Sequence, residues 1–284
     1  MATGTEHEMV LPAGILRLSV SSASDLGKVR KVNEDSFLAQ DGLFLVADGM
    51  GGHSFGDRAS QSVVGTFTAA LAEGSRLTPE RVVQTIHSSN QAVVAMTDDD
   101  EESISGTTLT GLALVQSETA HHWMAFNVGD SRVYSWDGRR LEQVTIDHSA
   151  VQELLDLGQI SAIEAIEHPH RNVVTRAIGV GDIVDPDIWL LPVSGHQLFL
   201  VCSDGLTKEL DDDQIASVLA DRFQLPGDLT VAGRLVEAAL AAGGADNVTV
   251  VVVESELVGT AHTADEDTND REIPHHLEET RPRK

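Results

Sequence analysis

Short runs of consecutive apolar residues, bounded by glycine and aspartate, alternate along this chain with stretches of helical periodicity. Residues 43–47 (LFLVA) are too short for a helix and rich in strand formers, so they read as a buried strand. The run stops at Asp48-Gly49, with Gly51 and Gly52 close behind. Residues 198–205 (LFLVCSDG) repeat the pattern and stop at Asp204-Gly205. A third apolar run ends in Asp130, and Asp246 opens a fourth, NVTVVVV. A lone Asp-Gly after a strand is most simply a hairpin turn. Four aspartates at four strand ends read instead as a carboxylate-lined metal site.

The rest of the pattern fills in around these runs. Residues 15–22 alternate weakly and predict a strand, followed by a polar loop leading to a strand near Phe37. Residues 56–73 carry Val63, Val64, Phe67, Ala70 and Leu71 at helical spacing. Thr78-Pro79-Glu80 opens a second helix, to about Met96, with proline at its first position. Residues 107–115, 122–128, 132–136 and 141–145 predict strands joined by short turns, hence antiparallel pairing. Two short helical stretches follow at 149–158 and 161–167, then strands at 189–192 and 197–202. Helices at 210–219 and 229–242 precede a last strand at 247–253. Strands in runs and helices in pairs predict an α+β fold, two layers of antiparallel sheet with helices outside, in one domain. Residues 1–14 are short of apolar pattern and are expected to form a flexible N-terminus, and residues 15–256 the folded domain. Residues 257–284 turn acidic and polar with Pro274 and Pro282, which predicts a disordered tail.

Charge narrows the partners. With 45 acidic and 19 basic residues in 284, the formal net charge is −26. That excludes a nucleic-acid binder and an anionic membrane surface, both of which need a basic face. An anionic substrate would need local positive charge, which bound cations supply. Cys202 is the only cysteine, so no intrachain disulfide forms and a reducing compartment follows. No basic region followed by an apolar core opens the chain, and no apolar run approaches the ~18 residues of a membrane span. A cytoplasmic protein is expected.

Aspartate oxygens, glycine carbonyls and water are hard ligands that suit Mg²⁺ or Mn²⁺. Two such ions ~3.5–4 Å apart form a hydrolytic centre that yields hydroxide near neutral pH and steadies a pentavalent phosphorus. An arginine on the non-reacting phosphate oxygens would complete it.

Seven segments then occur in one order: GKVRKVNEDS at 27–36, DGMGGH at 48–53, SGTT at 105–108, VGDSR at 128–132, DHS at 147–149, SDGL at 203–206 and ADNVTVVVV at 245–253. Together they resemble the bacterial branch of the PP2C (PPM) family, metal-dependent protein serine/threonine phosphatases, over residues 19–253. The resemblance implies a four-layer α-β-β-α sandwich of two antiparallel sheets flanked by helix pairs. It implies hydrolysis of phosphoserine and phosphothreonine by a water or hydroxide bridging two Mn²⁺ or Mg²⁺ ions, without a phosphoenzyme. By the same resemblance Asp48 bridges two metals, the Gly49 carbonyl binds the second, and Asp204 and Asp246 hold the first. Asp130, with Asp204, matches the ligands of a third, more weakly held ion. Glu34 orients metal-bound water, Asp35 supports the site and Arg30 grips phosphate. Residues 147–175 match a mobile flap beside the active site. The partners implied are phosphorylated proteins and a cognate serine/threonine kinase system, and the expected state is a monomer. Where eukaryotic members commonly carry a candidate general-acid histidine (DGHGG), this chain has Met50. His53 is the substitute candidate, with a metal-bound water the alternative.

Two other signals lead elsewhere. Residues 52–56 (GHSFG) fit a nucleophile elbow, which needs a strand running directly into the serine, whereas here DGMGG intervenes. Cys202 lies inside an apolar strand, as an inert buried thiol would. The remaining rival is a phosphoprotein-binding module with a degenerate centre. Asp48, Asp204, Asp246 and Arg30 argue against it, because clustered buried acids repel unless a cation sits among them.

Overall fold

The computed structural model describes residues 3–51, 55–74, 76–97, 105–118, 120–223 and 229–259. A hairpin of β1 (Thr3–Leu11) and β2 (Gly14–Asp25) leads to β3 (Asp35–Gln40) and β4 (Leu43–Gly51). Two long helices, α1 (Gly56–Ala72) and α2 (Pro79–Thr97), precede β5 (Ser105–Thr107) and β6 (Leu109–Ser117). Next come β7 (Ala120–Val128), β8 (Arg132–Trp136) and β9 (Leu141–Gln143). The short helices α3 (Ala150–Asp156) and α4 (Ala162–Ile166) are followed by β10 (Asp187–Pro192) and β11 (His196–Cys202). A single turn α5 (Asp204–Thr207), then α6 (Asp212–Ala220) and α7 (Val231–Ala242), lead to β12 (Val248–Gly259).

One sheet runs β1-β2-β12-β11-β8-β9; the other runs β10-β7-β6-β4-β3, with β5 on the end of β4. The pairings within both are antiparallel. Alternation along the strands explains the layering. In β4, Leu43, Leu45 and Ala47 join a core with Val63 and Phe67 of α1 and Ile86 of α2, while Phe44 and Val46 face the opposite sheet. In β11, Leu198, Leu200 and Cys202 pack with Ile215 of α6 and Leu235 of α7, while Phe199 and Val201 face inward. β12 divides its valines the same way, Val250 and Val252 outward to the helices and Val251 and Val253 inward. Both faces are covered, which is why these strands read as unbroken apolar runs. Trp123 knits the two sheets together, its ring centroid 6.3 Å from Phe44 and 5.7 Å from Phe199. The result is the expected α+β sandwich of two antiparallel sheets flanked by helix pairs.

Three expectations change. The N-terminus is not a flexible lead-in: residues 3–11 form an edge strand in register with β2 from Thr3↔Ser22 to Leu11↔Gly14. Among the described side chains only Leu11 is buried there, so backbone pairing rather than an apolar pattern holds the strand. β12 runs on to Gly259, past the expected start of the tail at 257; residues 260–284 lie outside the described residues. The strand expected to stop before Asp48-Gly49 does not stop there: β4 continues through it to Gly51.

Candidate active site

Asp48 is delivered by a strand that changes partner. β4 pairs with β6 through Val46, then with β5 from Gly49 onward. Thr108 sits at the change. Its N–H and the Thr107 hydroxyl each donate to the Asp48 carbonyl at 2.9 Å, and its own hydroxyl accepts from the Asp48 N–H at 3.0 Å. On the other edge Asp35 pairs directly with Asp48, and Gly49 N–H donates to the Glu34 carbonyl.

Asp204 and Asp246 come from the other sheet. β11 ends at Cys202, Ser203 stays extended and Asp204 opens the turn α5. Asp246 lies in the loop before β12, next to Asn247. The Asn247 side chain accepts from Glu34 N–H at 2.9 Å and donates to the carbonyls of Leu26 and Val32, fastening the loop that carries Arg30. A Cβ on Gly49 would lie 2.2 Å from the Gly56 carbonyl oxygen, and one on Gly205 only 1.9 Å from that of Asn247. Both glycines are there because a second backbone lies against them, that of Gly56 and Glu34 at Gly49 and that of Asn247 at Gly205, not to make a turn. Gly129, at φ 117°, places Asp130 after β7, and its N–H donates to His148 Nδ1.

The acids crowd one another. Burial pushes Asp35 up to about 7 against hydroxyl hydrogen bonds from Thr249 and Ser203, with Asp204 and Asp246 adding to the rise. Burial, then Asp204 and Asp147, push Asp130 up to about 7 while Lys208 opposes. Asp48 stands well above its ordinary value, through burial and then through Asp35, Asp204, Asp130 and Asp246. Glu34 is raised by burial, with Asp57 and Asp246 adding to it against Arg30. Burial would lift Asp246 too, but Lys208, the Asn247 N–H and Arg30 hold it below its ordinary range. Arg30 Nε meets Asp246 Oδ1 at 2.8 Å, and Lys208 pairs with both Asp204 and Asp246. Beside the acids opens a cavity of about 580 Å³, lined by Asp130, Asp204, Lys208 and Asp246 and, from the flap side, by Leu155, Ile166 and Arg171.

The residues present fit a hard divalent cation. Asp35 Oδ1 and Asp204 Oδ1 are buried with no hydrogen-bond partner, and the donors are carboxylates beside a glycine backbone. Among the described residues no three histidine, cysteine or acidic side chains are already gathered into one coordination sphere, and Asp246 and Asp204 are paired with Arg30 and Lys208 instead.

The structure thus brings Arg30, Glu34, Asp35, Asp48, Gly49, Asp130, Asp204 and Asp246 to one region. His53 lies outside the described residues. Cys202 is buried in β11, and burial pushes its thiol up to about 12, so it is no nucleophile. Sequence reasoning assigned no role to Lys208, Thr107, Thr108, Ser203 or Asn247. The signal for Asn247 and the threonines was their place inside short polar segments that also hold, or pair with, a site acid.

Comparison with known proteins gives the same answer. A family model described as Protein phosphatase 2C matches residues 28–240, most of the chain. The serine/threonine phosphatase stp of Listeria monocytogenes is 35% identical over 245 residues, 82% of this chain and 94% of that protein. The crystal structure of the PPM Ser-Thr phosphatase MsPP from Mycobacterium smegmatis, in complex with cacodylate, is 36% identical. It superposes with a TM-score of 0.72 over 82% of this chain and 97% of that one. The PstP catalytic domain, in complex with two manganese ions, is 34% identical at a TM-score of 0.71, over 85% of this chain and 99% of that one. On the fold, the site and these matches, the chain belongs to the protein phosphatase 2C family.

Proposed function

We propose that this phosphatase hydrolyses phosphoserine and phosphothreonine in proteins, using two Mn²⁺ or Mg²⁺ ions held by Asp48, the Gly49 carbonyl, Asp204 and Asp246. The observation that carries the reading is the crowding of Asp35, Asp48 and Asp130 with Asp204, with Asp35 Oδ1 and Asp204 Oδ1 buried and unpartnered, an arrangement that bound cations would relieve without protonating the acids. The pair of ions would supply a water-derived nucleophile near neutral pH and neutralise charge developing at phosphorus. Glu34, half-buried and raised, holds a proton-accepting oxygen at the site's edge. Asp35 fixes that edge through Ser203 and through its pairing with Asp48. Arg30, 47% exposed at the rim, turns from Asp246 to two oxygens of the incoming phosphate. Asp130, beside Asp204, is the place for a third, weaker ion. The relatives described with two manganese ions and with cacodylate, a tetrahedral oxyanion, support the reading of a two-metal phosphate site.

Among the described residues no helix is long and apolar enough to cross a membrane. The proposed setting, a cytoplasmic monomer acting opposite a serine/threonine kinase, rests on the family resemblance. The test is hydrolysis of p-nitrophenyl phosphate and a phosphothreonine peptide with Mn²⁺ or with EDTA, for wild type and Asp204→Asn. Turnover that requires metal and falls at least ~10²-fold in the variant is expected, more than the 10–100-fold cost of losing an outer-shell partner. Binding of the phosphopeptide without turnover under any metal would replace the enzyme by a binding module.

A further inference from the structure

Lys208 follows Asp204 by four residues, and its N–H donates to the Asp204 carbonyl at 2.8 Å, so the turn α5 fixes its backbone beside the acids. Its ammonium pairs with Asp204 and reaches Asp246 Oδ2 at 3.2 Å. Arg30 engages both oxygens of Asp246, at 2.8 and 2.9 Å. Both oxygens of Asp246 and one of Asp204 are therefore turned to cations that the chain supplies, while Asp204 Oδ1 stays buried without a partner.

We propose that Lys208 is an internal counter-cation of this centre. Its ammonium holds Asp204 and Asp246 together in the metal-free protein, and it must leave before they close on a divalent ion. This rests on the reading of Asp204 and Asp246 as metal ligands. An ammonium and a divalent cation cannot share the same carboxylate lone pairs, and their charges repel at contact distance. The lysine stem is long enough to swing away, the side chain is already 36% exposed, and it borders the 580 Å³ cavity next to Asp130. Arg30 differs, because phosphate gives it a second partner when it releases Asp246. Lys208 therefore sets how tightly the first ion is held, trading metal affinity for a metal-free state in which the acids stay ordered.

The test is calorimetric titration of EDTA-stripped protein with Mn²⁺, alongside thermal melts in EDTA, for wild type, Lys208→Met, Lys208→Gln and Lys208→Arg. Both neutral variants are expected to bind Mn²⁺ about tenfold tighter and to melt lower than wild type in EDTA, with Lys208→Arg close to wild type. Two neutral variants are used so that poor folding of one leaves the other to decide. Wild-type or weaker Mn²⁺ affinity in a folded neutral variant would overturn the proposal. Failure of the wild type itself to take up Mn²⁺ would overturn the metal-ligand reading beneath it, a distinguishable result.

Discussion

β4 and β11 share the run LFLV and an Asp-Gly that follows it, yet the two aspartates meet different surroundings. In β4 only Ala47 separates the run from Asp48; in β11 both Cys202 and Ser203 intervene before Asp204. Strand alternation turns that one residue into a change of face. Ala47 and Cys202 both point to the helices, so the next position points back between the sheets. In β4 that position is Asp48; in β11 it is Ser203, whose hydroxyl donates to Asp35 at 2.8 Å. Asp204 comes one residue later, on a helical turn where Lys208 reaches it. One strand presents a carboxylate among other carboxylates, the other a carboxylate with its own cation.

This difference can be broken most sharply by neutralising each acid. Asp48→Asn and Asp204→Asn are both expected to lower kcat/KM with Mn²⁺ at least ~10²-fold, because each removes a proposed metal ligand. In EDTA at pH 8 their melting temperatures should move in opposite directions. Asp48→Asn removes a carboxyl whose ionisation is opposed by burial and by four neighbouring acids, so the protein should melt higher. Asp204→Asn leaves Lys208 with one partner fewer, so it should melt lower. Shifts of the same sign in both variants would mean that the two acids share one environment after all.

The glycines test what the segments have in common. Gly49→Ala and Gly205→Ala each drive a Cβ into backbone, at 2.2 and 1.9 Å, where nothing flexible can give way. Each should cost at least the ~1–3 kcal/mol typical of overpacking, or several degrees in Tm at ~2–4 °C per kcal/mol for a chain of this size. A loss confined to one of them would show that close backbone approach is not the shared reason for Asp-Gly.

Which parts were legible follows from the same contrast. The apolar runs announce Asp48 and Asp204 because β4 and β11 are covered on both faces, and α1 shows itself through Val63 and Phe67 on one stripe. Apolar runs also announce Asp130 and Asp246, while the ordered polar segments carry Arg30 and Glu34 through resemblance. β1 is illegible because its stability lies in hydrogen bonds to β2, and only Leu11 of its described side chains is buried. The continuation of β4 past Asp48 depends on β5, which returns more than fifty residues later. Lys208 gives only half a local signal, Asp204 four residues before it, because its other partner, Asp246, lies 38 residues on. Pattern reports what a segment buries; it does not report which distant backbone or charge completes it.

Ser203 offers the finest probe of the two strands. The raised Asp35 and Asp130 stay protonated in the folded, metal-free protein at pH values where the unfolded chain has released those protons. The folded state therefore binds more protons, and the contribution of these two acids to stability in EDTA should fall as pH climbs from about 4 to about 7. Saturating Mn²⁺ should reverse that slope, because only deprotonated carboxylates serve as ligands. Ser203→Ala removes the hydroxyl that favours the ionised form of Asp35 and leaves the Thr249 N–H without its 2.9 Å acceptor. The loss of the acceptor should cost about 1 kcal/mol or more at any pH. The loss of the Asp35 hydrogen bond adds to it only where Asp35 is ionised, so the variant's deficit in EDTA should be larger at pH 8 than at pH 5. Thermal melts at the two pH values decide: a deficit equal at both would mean that Ser203 acts through Thr249 alone, and that the inward position of β11 does not tune the carboxylate facing Asp48.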